Sequence, residues 1–407
     1  MEKKINRWQV LIASTAILLC TGAVYAFSVF AGPLSAAKGW SMAEIMLAFT
    51  INSAISPIPM ILGGFLTDKG LSKWSIAIGG VLFGLGFFLT GLVTSPAMLY
   101  LSYGLIGGLG QGLAYSGCLS NTIKLFPDKK GLASGIITAG MGGAAIIAAP
   151  IGNYFIENND VLYAFRMLGI IYLVVVVIAS FFIKEAPVNF KPAGWNPPAR
   201  SGKPVNKNWV AMLKTPYFYL IFMMLCTGAF SGLMIASNAS VIGQQMFKLS
   251  ATTAAFYVSL YSLSNCAGRV IWGSVSDKLG RNATLNVILT VIILAFVALV
   301  TLHSQAGFAI GIIVLGLCFG GVMGVFPPLV MENYGPANQG TNYGIVFVGY
   351  SAAAFFAPKV AVNMAAANGG DFSKAFYVAI AVALVGLVTN FIYIQMKKNH
   401  VQEVKTA

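Results

Sequence analysis

The chain has 407 residues, of which 57% are hydrophobic and only 9% charged, against roughly a quarter charged in an ordinary soluble protein. So few charges cannot cover the surface of a soluble fold of this size, which excludes a soluble globular domain and a disordered chain. The net charge of +14 could suit a nucleic-acid partner, but the way the charges are distributed excludes that class as well.

A stretch of about 18 or more residues without charge is a candidate membrane-spanning helix. In chain order the charge-free stretches are 8–37, 45–67, 74–123, 131–156 and 167–183, then 215–247, 249–268, 282–331, 333–358 and 375–396. The stretches 74–123 and 282–331 are each 50 residues long, room for two helices and a turn. Turns are expected at Ser95-Pro96 and at Ser304–Gly307. The fold class expected is therefore an all-α integral membrane protein with twelve transmembrane helices in two six-helix pseudo-repeats. The first stretch lacks a small-residue cleavage pattern after a short apolar core and is read as a retained helix.

Between the halves, 187–208 is polar and holds five prolines, so it reads as a linker and not a span. The organisation expected is an N-terminal six-helix half over 1–186, a linker over 187–214 and a C-terminal half over 215–407. With both termini inside, nineteen of the 25 Lys and Arg fall on the cytoplasmic side, while Lys38, Arg166, Lys248 and Lys374 fall on the other. That bias sets orientation. The basic excess is thus explained by a cell (inner) membrane protein with cytoplasmic termini and a lipid bilayer as partner, without nucleic acid.

The halves repeat each other. Asp68-Lys69 matches Asp277-Lys278, Ser95 matches Ser304, Gly107 matches Gly316, Gly131 matches Gly340 and Gly135 matches Gly344, all at one offset. The loop Gly273-Ser-Val-Ser-Asp277-Lys278-Leu-Gly280-Arg281 has the form G-x-x-x-D-[RK]-x-G-[RK]. The first-half copy, Gly64-Phe-Leu-Thr-Asp68-Lys69-Gly70, has its glycine one residue early and lacks the final arginine. Two six-span halves with this loop resemble the major facilitator superfamily. The resemblance implies a charge lock built on Asp68, Asp277, Lys278 and Arg281, an acid at one helix end holding the N-terminus of a neighbour.

Phe126-Pro127-Asp128-Lys129-Lys130-Gly131, with Gly135, together with Asn342-Tyr343-Gly344 and Arg269, is similar to the bacterial oxalate:formate antiporter family, whose neighbours include the monocarboxylate transporters. That likeness implies an organic-anion carrier.

No enzyme constellation is present. H-E-x-x-H, P-loop and complete G-x-G-x-x-G patterns are missing, and there are two histidines. The five cysteines lie inside apolar stretches and read as small buried hydrophobes. No cofactor or metal is expected. The chemistry rests on Arg269, the only charge deep within an expected span. An arginine at a helix centre costs about 2.5–3.5 kcal/mol on insertion scales and normally faces a water-filled cavity. The offset counterpart is Met60, so the charge belongs to one half only. A guanidinium binds a carboxylate bidentately. The competing reading is an arginine snorkelling to the interface.

Asn265 lies one turn earlier on the same face, able to donate to a carboxylate oxygen or an α-hydroxyl. Related monocarboxylate carriers pair an acid with arginine at this spacing; here the acid is an amide. The oxalate carriers of the family hold a lysine in the eleventh span, and the matching position here is Tyr350. One fixed charge suits one carboxylate. The family likeness adds Val24, Tyr25, Tyr115 and Met141 from the first half, and Phe319, Met323 and Phe347 from the second. The function expected is secondary active transport of a small monocarboxylate such as L-lactate or pyruvate by a monomer, with protons co-transported. An oxalate:formate-type anion exchanger and a drug or metabolite exporter are the alternatives.

Overall fold

The computed structural model describes residues 5–187, 190–192, 194–196, 205–302 and 304–406. Part of the expected linker, 188–189, 193 and 197–204, lies outside the described residues. Among the described residues there is no strand. Among these residues twelve long helical runs follow one another. The first six are α1 (Arg7–Lys38), α2 (Met42–Asp68), α3 (Ser72–Thr90), α4 (96–125), α5 (Lys130–Asn158) and α6 (Val161–Phe182). After a short helix Trp209–Leu213 come α7 (Pro216–Gln245), α8 (Ala251–Leu279), α9 (Arg281–Thr301), α10 (Gln305–Tyr334), α11 (Gln339–Ala366) and α12 (Ser373–Thr406).

Ten of these are long and apolar enough to cross a membrane. The other two, α4 and α8, match the expected spans in length but carry more polar side chains. Gln111, Ser116, Ser120, Asn121 and Thr122 lie on α4, and Ser262, Ser264, Asn265 and Arg269 on α8. Such residues are tolerated in a bundle where they turn inward, and all nine but Ser262 are buried.

Local chemistry fixes the helix ends. Ser41 and Glu44 form a reciprocal capping box at the start of α2. Ser95 accepts from Met98 N–H at 3.3 Å, followed by Pro96 at the first helical position of α4. Asp160 accepts from Tyr163 N–H at 2.7 Å to open α6. The expected turn at Ser304 also forms, with the Ser304 hydroxyl accepting from Gly307 N–H at 3.0 Å.

Two compact units emerge: Met1–Trp209 with Met331–Ile345, and Val210–Val330 with Val346–Ala407. In the first, α3 packs against α4 and α6, α2 against α4, and α1 against α5. Rings of Phe83, Phe87, Tyr103, Phe165 and Tyr172 fill the space between α3, α4 and α6. The loop between α10 and α11 belongs to this unit, and so do the described linker residues up to Trp209. Asn121 donates to Lys184 C=O and accepts from Ala186 N–H, each at 2.9 Å. Lys207 N–H donates to Tyr334 C=O at 2.8 Å, and Asn342 donates to Lys207 C=O at 2.9 Å. In the second unit α7 packs against α11 and α12, and α9 against α12.

Candidate functional site

The four-residue spacing of Tyr261, Asn265 and Arg269 puts all three on one face of α8. Each is buried, Asn265 and Arg269 at 7% exposure. Arg269 donates Nε–H to the Asn265 amide oxygen at 2.8 Å. Tyr261 donates its hydroxyl to Gly232 C=O at 2.6 Å, tying α8 to α7. The neighbour on the other side is α10, and the contact is backbone on backbone. A Cβ on Gly320 would stand 2.1 Å from Asn265 O and 2.7 Å from Arg269 N. One on Gly324 would stand 2.6 Å from Arg269 O, and one on Gly316 2.8 Å from Tyr261 O. Glycines every fourth residue on α10 therefore let it lie against the part of α8 that bears the arginine.

Phe319 and Met323, both buried, follow on α10 one turn apart. A Cβ on Gly232 would come within 2.2 Å of the Phe319 ring, so that ring is seated against bare α7 backbone. Helix α11 breaks at Phe347, between Gln339–Val346 and Val348–Ala366. Phe347 and Tyr350 stack at 4.6 Å between centroids, and Tyr350 lies parallel to Phe319 at 6.5 Å. The second unit thus gathers an arginine–amide pair on α8 and a three-ring stack shared by α10 and α11. Lys359 is exposed further along α11, its ammonium 3.4 Å from the Phe355 ring centroid.

The ten expected substrate contacts divide between the units. Val24, Tyr25, Tyr115 and Met141 belong to the first, and the other six to the second. Val24, Tyr115 and Met141 are buried, whereas Tyr25 is 44% exposed. A Cβ on Gly22 would meet Met141 O at 2.4 Å, so α1 and α5 touch where Met141 sits.

The two acids of the repeated loop have different surroundings. Asp68 ends α2 with its side chain 6% exposed. Its carboxylate accepts from Gly340 N–H at 3.0 Å, from Thr341 N–H at 2.8 Å and from the Thr341 hydroxyl at 2.9 Å. Lys124 of α4 adds an ammonium at 3.1 Å. The donors are orphan groups of the first turn of α11, where the helix dipole also favours an anion. Gly64 and Gly340 permit this: a Cβ on Gly64 would stand 2.2 Å from Gly340 C. In the second half Asp277 accepts from Arg281 at 2.7 Å, Arg281 also donates to Ser276, and Lys278 is exposed. Gly280 there has φ +85, a left-handed turn that joins α8 directly to α9. Gly70, one place earlier in its loop, has φ +79 and closes α2 before α3 begins at Ser72. The shifted glycine therefore serves a longer connection.

Sequence reasoning missed Lys124, Gly340 and Thr341 as partners of Asp68, and Tyr261 as the third member of the α8 face. The four-residue spacing to Asn265 was a usable signal for Tyr261. No short-range pattern joins Asp68 to α11. Among the described residues no group of His, Cys, Asp and Glu is placed to hold a metal ion.

Comparison with known proteins agrees with this architecture. Residues 13–358 match the family described as the Major Facilitator Superfamily. The MFS-type transporter YhjX of Escherichia coli (strain K12) is 30% identical, over 85% of this chain and 85% of its own. The oxalate:formate antiporter of Oxalobacter formigenes is 27% identical over 95% of this chain and 90% of its own. Monocarboxylate transporter 13 of Rattus norvegicus is 25% identical over 80% and 73%. Among solved structures, the proton:xylose symporter XylE superposes with a TM-score of 0.75 at 13% identity, covering 95% of this chain and 96% of that one.

Proposed function

This chain belongs to the Major Facilitator Superfamily, and on that premise we propose that it is a secondary active carrier of small organic monocarboxylates, with L-lactate and pyruvate as the expected cargo. It is a multi-pass membrane protein of non-enzymatic transport type. The single observation that carries the substrate class is the buried Arg269, held through Nε by a neutral partner. A cation within a membrane span suits an anionic ligand, and its planar fork suits a carboxylate. Asn265 engages the arginine without cancelling its charge. Tyr350, Phe319 and Phe347 offer an apolar wall for a short acyl chain and add no second cation, which favours one carboxylate over two.

In this reading Arg269, Asn265, Tyr350, Phe319, Met323 and Phe347 meet the substrate from the second half and Val24, Tyr25, Tyr115 and Met141 from the first. Asp68, Asp277, Lys278 and Arg281 act in gating. The halves alternate access about the site, in an inner membrane with both termini in the cytoplasm, as a monomer. Domain limits of 1–186, 187–214 and 215–407 go with it. Moving a monoanion into an inside-negative cell costs about 2.3 kcal/mol per 100 mV. One accompanying proton removes that cost, so proton symport is the proposed coupling.

A second reading is anion exchange, favoured by the oxalate:formate antiporter relative, which aligns over 95% of the chain. Exchange of one monoanion for another is electroneutral as well. Uptake of labelled lactate, pyruvate, oxalate and formate into proteoliposomes tests both. Symport predicts lactate uptake driven by an imposed pH gradient into empty vesicles. Exchange predicts uptake only into vesicles preloaded with an anion. No carboxylate uptake under either regime would overturn the carrier reading.

A further inference from the structure

Three helices of the first unit lose the regular α hydrogen-bond pattern, and one residue joins them. Helix α1 narrows to a 3-10 stretch at Gly22–Ala26, and α4 widens to a π stretch at Tyr100–Gly107. Helix α2 is interrupted at Ser56, between Met42–Ile55 and Pro57–Asp68. Tyr103, in the π stretch, is 1% exposed. Its hydroxyl donates to Val24 C=O at 3.3 Å, and its own carbonyl accepts from the Asn52 amide at 3.0 Å. In the 3-10 turn, Val24 C=O also takes the N–H of Phe27. A carbonyl has two lone pairs, so it can serve both donors. Interruptions in transmembrane helices persist where neighbouring groups satisfy the backbone they release.

The ring itself is fixed by packing. It lies 4.2 Å from the Phe27 ring and 5.6 Å from that of Phe87. On the far side of the same turn, Gly22 abuts Met141 C=O. The 3-10 stretch is thus gripped between the α5 backbone and one phenol, and it carries Val24 and Tyr25. The polar atoms of Tyr103 are spent on α1 and α2, so a purely packing role does not explain a tyrosine where phenylalanine has the same shape.

We propose that Tyr103 is a positioning residue for the α1 wall of the substrate path, and that through the pose of Val24 and Tyr25 it sets the length of acyl chain the carrier accepts. This rests on the monocarboxylate reading above. Loss of the hydrogen bond lets the 3-10 turn relax, and the wall yields to longer 2-hydroxy acids.

The test is Tyr103→Phe, which keeps the ring and removes only the hydroxyl. Asn52→Leu serves as a second variant that releases the other arm. Uptake of lactate, 2-hydroxybutyrate and 2-hydroxyvalerate is measured in proteoliposomes for wild type, both variants and Arg269→Ala. Hydrogen–deuterium exchange of the segment 22–28 is read in parallel by mass spectrometry. The expected result for Tyr103→Phe is faster exchange confined to 22–28. The KM ratio of 2-hydroxyvalerate to lactate should fall about two- to tenfold, as one neutral buried hydrogen bond allows, with the maximal rate for lactate retained. Unchanged exchange in both variants overturns the tie. Faster exchange with an unchanged KM ratio overturns the specificity role and leaves a structural contact. A wild type that carries no carboxylate sinks the monocarboxylate reading and the chain-length role with it, whereas an Arg269→Ala variant that carries them normally removes Arg269 from recognition and leaves the chain-length comparison standing. The exchange arm then still decides whether Tyr103 holds α1.

Discussion

Asn265 holds Arg269 by one edge: the guanidinium gives its Nε–H to the amide oxygen 2.8 Å away, one helical turn back along α8. The bond fixes the plane of the guanidinium group with a partner that carries no charge. An ionised acid in the same place would hold the arginine more tightly and offset its charge. The amide orients the arginine and brings no charge of its own.

Replacing Arg269 separates recognition from anchoring. Arg269→Lys should fail nearly as badly as Arg269→Ala in lactate binding and uptake, because lysine keeps the charge and loses the planar fork. The loss of one charge-assisted hydrogen bond, roughly 1.5–3 kcal/mol, corresponds to about ten- to a hundredfold in affinity. Near-normal transport by the lysine variant, in protein that reaches the membrane folded, would leave Arg269 as an interfacial anchor.

Asn265→Asp should make transport pH-dependent in one direction. Above the carboxyl's titration range the new anion pairs with Arg269 and competes with substrate; once protonated it behaves as the amide did. The ratio of variant to wild-type lactate KM should therefore fall as pH is lowered, a comparison that cancels any pH dependence both proteins owe to a co-transported proton. Parallel pH profiles for the two proteins would count against a shared site for Asn265 and Arg269.

A second cation should widen selectivity. Tyr350→Lys places an ammonium beside Phe347 and Phe319, the rings that Tyr350 stacks on. Competition assays should then show oxalate displacing lactate at lower concentration than in the wild type. Unchanged oxalate affinity in a folded variant would mean that Tyr350 and Arg269 do not address the same ligand.

The two loop acids should differ in weight. Asp68 accepts three hydrogen bonds from Gly340 and Thr341 and an ion pair from Lys124. Asp68→Asn should change the maximal transport rate several-fold more than it changes KM, since no substrate contact is removed. Asp277→Asn acts through Arg281 and should follow the same pattern more weakly. A collapse of affinity with a normal rate would show the acid to be part of the binding site. Initial-rate kinetics in proteoliposomes decide both.

Much of this was readable from the chain alone. The charge-free stretches locate the spans because lipid tolerates few charges. The lone arginine and its amide stand out because a helix repeats its face every four residues. The turns at Ser95-Pro96 and Ser304 follow from capping chemistry. What could not be read depends on contacts between distant segments. Lys124 reaches Asp68 across 56 positions, and Thr341 does so across 273. The 3-10 turn in α1 has no glycine–proline signature strong enough to predict it, and the π stretch of α4 arises where Tyr103 meets Asn52. Linker anchoring through Asn121 and Asn342 was equally hidden, since an asparagine inside an apolar span gives no hint of which backbone it will hold.

The glycine row of α10 has a consequence for inherited variation. A single methyl added at Gly320 would force the α10 backbone away from the α8 backbone that bears Arg269. In a saturation scan scored by growth on the transported acid, Gly316, Gly320 and Gly324 should reject even alanine, as sharply as the arginine rejects lysine. Ranking residues by distance from the substrate would misplace them. The glycine row thus ties the position of the arginine on α8 to the sequence of the helix beside it, so that the two cannot vary independently.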